Sequence, residues 1–183
     1  YVHTLGTKVY TDLERKLLSP YVNKYLFSLI AGLRQKNFGY DTLHKITEDI
    51  KYLYSTIDDG KELIIDSGGY SIIVGDVDPK DIIKFIYVYD DFFKNQYNYY
   101  DYIMSLDIPI FLEYPEANTI QNIAKFNFHS LNQSKITLSQ NPELYDKFIF
   151  VWHFKIKKQF DLWKFLYKKL FFDDVKLKNF AIG

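Results

Sequence analysis

Cysteine is absent from the 183 residues, which excludes disulfides, thiol nucleophiles and cysteine-ligated metal sites within them. Net charge is also missing. Lys and Arg number 23 and Asp and Glu number 23, so the chain as a whole projects no field that would draw in a polyanion, and a nucleic acid would have to be held by a local groove. Histidine is scarce and dispersed: His3, His44, His129 and His153 include no pair at the helical spacing that brings two imidazoles to one zinc. No run of about 20 apolar residues occurs, so a membrane partner is not expected. Tyr1-Val2-His3 does not start the basic-then-apolar order of a secretion signal. The expectation is a cytoplasmic or otherwise intracellular protein.

What the chain does have is apolar and aromatic mass. Hydrophobic residues make up 48% and aromatic residues 19%, enough at this length for a real core within residues 1–183 read as one domain. Apolar runs fall at Tyr25–Ile30, Glu62–Ile65, Tyr102–Leu106, Phe148–Trp152 and Phe180–Ile182. Between them, helical spacing predicts helices over Thr42–Tyr54, Ile82–Phe93, Thr119 to about Leu131 with its end left open to run further, and Asp161–Phe171; a further short helix is predicted over Thr11–Leu18. Asp41 and Asp78 are suited to cap two of these, and Pro79 to a first turn. Strands recurring about every 31 to 46 residues, with a helix in each interval, fit the βα units of a parallel sheet or barrel. Runs that are apolar without alternation fit a sheet covered by helices. Five such strands do not close an eight-stranded barrel, which needs about 250 residues.

In parallel α/β folds, ligands meet the carboxyl ends of the strands. Asp66, Asp107 and His153 fall there. The segment Asp66-Ser67-Gly68-Gly69-Tyr70 suits a flat ligand: the glycines let backbone approach closely, Asp66 accepts hydrogen bonds or protons, and Tyr70 can stack. The same residues also suit an ordinary tight turn in which Asp66 ties down neighbouring amides and Tyr70 packs. Composition and spacing leave both readings open.

Ile64-Ile65-Asp66-Ser67-Gly68-Gly69-Tyr70 resembles the Asp-Ser-Gly-Gly-aromatic signature of the tRNA-guanine transglycosylase family, including its relatives that insert deazaguanine bases into DNA. Asp101-Tyr102-Ile103-Met104-Ser105-Leu106-Asp107 is similar to the family's next block, a strand ending in a base-recognising carboxylate. Asn179-Phe180-Ala181-Ile182-Gly183 resembles the start of its Ala-Ile-Gly-Gly segment. The resemblance spans roughly residues 60 to 183.

It implies an α/β fold, an incomplete or divergent TIM barrel with parallel βα units, that exchanges guanine in tRNA or DNA for a 7-deazaguanine base. Asp66 would then act in proton transfer, as the catalytic residue, and Asp107 would receive donors of the base edge. Tyr70 would stack, and Ser67, Gly68, Gly69 and Gly183 would shape the pocket. Two adjacent N–H donors suit a carboxylate, which accepts more than one hydrogen bond.

The sequence departs from the family at several points. Ser71 stands where Gln is usual. Trp152-His153 stands where Gln-Gly is common, so that Trp152 could close over a base and His153 bond to it, or both could obstruct the pocket. The family's covalent Asp and its zinc region lie beyond the matched blocks. The expectation is therefore no cofactor within these residues, with zinc and the nucleophile in a C-terminal region or companion subunit, and a homodimer among the assemblies the resemblance implies. Two other functions compete: a non-catalytic module binding a guanine-like base, and a structural interaction subunit. The basic run Lys155–Lys158 and the pair Lys168-Lys169 read more simply as a solvated helix entrance and a helix C-terminus than as phosphate contacts.

Overall fold

Helix-length crossovers between apolar runs are long enough for parallel pairing, and the strands pair in parallel. The computed structural model describes residues 2–5, 20, 22–29, 40–57, 60–69, 82–108, 120–153, 157–171 and 177–182. These form, in chain order, β1 (Val2–Leu5), β2 (Lys24–Ser28), α1 (Tyr40–Thr56), β3 (Glu62–Asp66), α2 (Ile82–Asn95), β4 (Tyr102–Met104), α3 (Ile120–Gln140), β5 (Phe148–Trp152), α4 (Lys157–Leu170) and β6 (Asn179–Ile182), with 3-10 turns at Tyr97–Tyr99 and Pro142–Leu144. The strands make one 6-stranded sheet in the order β1-β2-β3-β4-β5-β6. Every neighbouring pair is parallel. Among the described residues no pairing joins β6 back to β1, so the sheet is open. None of the described helices is long and apolar enough to cross a membrane.

Register sorts the side chains into two layers. Phe27 pairs with Ile65, Ile65 with Ile103 and Ile103 with Phe148, and paired residues of a parallel sheet point to the same side. All four are buried. This side faces helices: the Phe93 ring of α2 lies 5.4 Å from Phe148, and Trp163 of α4 lies 5.9 Å from Phe150. Consecutive helices pack on one another, α2 on α3 and α3 on α4. On the other side Leu26, Met104 and Ile149 are only half-buried. The unbroken apolar runs predicted two covered faces; the described residues bury the middle of one, leaving Phe180 and Ile182 of β6 exposed at its edge, and cover the other in part.

Three differences from the sequence reading have physical causes. β1 is a sixth strand, only four residues long, so that even with Gly6 after it the run is too short to mark a strand; its evidence is its pairing with β2. Helix α3 extends to Gln140, through a polar stretch whose Ser130, Ser134 and Thr137 are buried and hydrogen-bonded. Helix α4 begins at Lys157, a turn earlier than its apolar stripe indicates. The short helix expected over Thr11–Leu18 and the cap at Asp78 lie outside the described residues; Asp41, expected to cap a helix starting at Thr42, is instead the second residue of α1, which begins at Tyr40.

Candidate functional site

Because all six strands run the same way, their carboxyl ends share one rim. Asp66 is the last residue of β3, Asp107 lies three residues past β4, and His153 directly follows β5. Residues far apart in sequence are thereby brought together.

The turn after β3 is bent toward β4. Gly68 has φ +78°, a left-handed conformation that side-chain-bearing residues disfavour. Its amide hydrogen bonds to the Asp66 carboxylate, which also takes a hydrogen bond from Ser28, its register partner on β2. Gly69 lies directly against the backbone of Asp107: a Cβ there would sit 1.7 Å from the Asp107 carbonyl oxygen. Only a residue without a side chain permits this approach, and the approach seats the Asp66 turn against the Asp107 segment.

Asp107 is the centre of a buried polar cluster. Ser105 Oγ donates to its Oδ1 at 2.9 Å and accepts the Val151 amide at 3.1 Å, tying the carboxylate to β5. His153 Nε2 is in direct contact with Oδ2. The imidazole packs 5.3 Å from the Trp163 ring. Asp107 is 4% exposed and His153 7%.

Helix α3 clamps the same segment. Asn127, fully buried, accepts the Ile108 amide at 2.8 Å and donates to the Ile108 carbonyl at 3.0 Å, while Ser130 Oγ donates to the Leu106 carbonyl at 2.7 Å. Residues on either side of Asp107 are thus pinned by one helix. Below them, the Tyr89 hydroxyl donates to the Met104 carbonyl.

Burial sets the electrostatics. Burial pushes the Asp66 carboxyl above its usual range; the Gly68 amide and Ser28 hydroxyl oppose this, and the Asp107 charge adds to it. That last effect places the two carboxylates within electrostatic reach of one another. Burial, with lesser contributions from Tyr100, Asp107, Asp90 and Asp66, holds the Tyr89 phenol well above its ordinary value, so it remains a donor.

Of the residues singled out from sequence, Asp66, Ser67, Gly68, Gly69, Asp107 and His153 converge on this rim. Trp152 belongs to another cluster: its ring contacts are Phe150, Phe160 and Tyr167. Tyr70 and Gly183 lie outside the described residues. Ser71, where the family has Gln, does so too. Comparison with protein-family models and with curated proteins finds no match. Among the described residues no group of three or more His, Asp or Glu side chains is arranged to hold a metal ion.

Sequence reasoning missed Ser105, Asn127, Ser130 and Trp163. A signal for part of this was present. Asn127, Ser130, Ser134 and Thr137 recur at helical spacing after apolar Ile123, a polar stripe within the buried face of α3. A buried polar stripe requires partners, and here they are the loop after β4 and Asp90 of α2.

Proposed function

We propose that the rim carrying Asp66 and Asp107 is a pocket for a flat, guanine-like base, of the kind used in transglycosylase exchange of guanine for a 7-deazaguanine base in tRNA or DNA. The observation that carries this reading is the contact of Gly69 with the Asp107 backbone. It brings together the two segments whose sequences resemble separate blocks of one base-binding site. Six parallel strands in chain order form an arc of the kind a closed barrel is built from, so we read the architecture as an incomplete or divergent TIM barrel.

In this reading each carboxylate has a different task. Asp66, whose carboxyl burial pushes above its usual range, is suited to take up and release a proton. Asp107, held by Ser105 and the α3 clamp, is suited to accept N–H donors from the base edge. A base with adjacent ring N–H and amino donors matches such an acceptor. Covalent exchange requires a nucleophile that none of the matched blocks contains, so the proposal for these residues is base recognition and proton transfer.

Incubating the protein with tRNA or duplex DNA and radiolabelled 7-deazaguanine tests the exchange. Label incorporation that is lost in Asp66→Asn supports it. Saturable binding of the free base without incorporation would instead favour a non-catalytic base-binding module, and no binding of the base would contradict both.

A further inference from the structure

We infer that His153 is the specificity-determining residue of this site, because it occupies the Asp107 oxygen that a base edge needs. The inference rests on the base-pocket reading and refines it.

An ionised carboxylate has two oxygens, and a two-donor edge must reach both. On Asp107, Oδ1 already accepts from Ser105 and Oδ2 is in contact with His153 Nε2. Unused lone pairs remain on count, yet the carboxylate is only 4% exposed. Ser105 cannot yield easily: it is fully buried, and its oxygen is also engaged by the Val151 amide. His153 directly follows β5, and its ring is tilted 43° against that of Trp163, so of the two partners it is the one more readily displaced. A ligand with two donors must displace the imidazole, whereas one with a single donor need only share the carboxylate. His153 therefore acts as a plug whose removal costs one charge-assisted hydrogen bond.

Such a bond is worth roughly 10- to 100-fold in an equilibrium constant.

The test is calorimetric titration of free guanine into the wild-type protein, His153→Leu and His153→Ala at neutral pH. Leu keeps apolar contact with Trp163 and donates nothing, and Ala covers the case in which Leu does not fold. Expected is roughly 10-fold tighter guanine binding in the variants. Guanine binding that is unchanged or weaker in folded variants overturns the plug and leaves the base pocket standing. No guanine binding by any of the three overturns the pocket and the plug together.

Discussion

Asp66 carries the most direct prediction at the scale of single residues. Its folded-state pKa is raised, chiefly by burial, so the folded protein is penalised relative to the unfolded chain once the carboxyl ionises. At pH below the ordinary carboxylate value both states are protonated and there is no penalty; it grows as pH rises through the raised value and then levels off. Asp66→Asn removes it. Urea unfolding between about pH 3.5 and pH 7 should show the Asn variant gaining on wild type as pH rises; a flat or opposite trend would contradict the burial. Gly69 is the second such residue. Gly69→Ala would place a methyl group 1.7 Å from the Asp107 carbonyl oxygen, which backbone must move to accommodate. Overpacking of this kind costs about 1–3 kcal/mol or more, and a loss below about 0.5 kcal/mol in denaturant titration would mean that the two segments do not touch. The motif Asp66-Ser67-Gly68-Gly69 was legible as a turn, and Gly68 adopts the positive φ that its type permits. Its contact with Asp107 was not legible, because strand pairing sets which loops adjoin.

At the scale of elements, α3 decides how well the site is held. Asn127→Ala leaves the buried amide and carbonyl of Ile108 without partners, costing about 2–4 kcal/mol. Ser134→Ala removes only a bond to Ser130 within the same helix and should cost less than about 1 kcal/mol. Comparable losses for the two would argue against the clamp. On the opposite flank, Phe150 of β5 meets Trp152, Trp163, Tyr167, Phe171 and Phe180. Phe150→Ala should destabilise by about 3–5 kcal/mol. Apolar periodicity located α1, α2 and α4 because one stripe of each is buried. It understated α3, whose buried face is partly polar and satisfied by tertiary hydrogen bonds, which leave no mark in a hydrophobic pattern.

At the scale of the molecule, parallel pairing makes the chemistry possible by sending the ends of β3, β4 and β5 to one rim. That much followed from βα spacing, since parallel strands separated by helices deliver their carboxyl ends together. The consecutive strand order and the pairing of β1 depend on long-range contacts and could not be read locally. His153 was legible only as a residue at the rim; its hold on Asp107 comes from the fold. The central claim is that carboxylates brought together from β3 and β4 form one receptor for a planar base. Calorimetric titration of guanine into wild type and Asp107→Asn at neutral pH measures it most directly. Saturable one-to-one binding that weakens at least about 10-fold in the variant is the result predicted; no saturable binding, or an isotherm unchanged by the substitution, would contradict it.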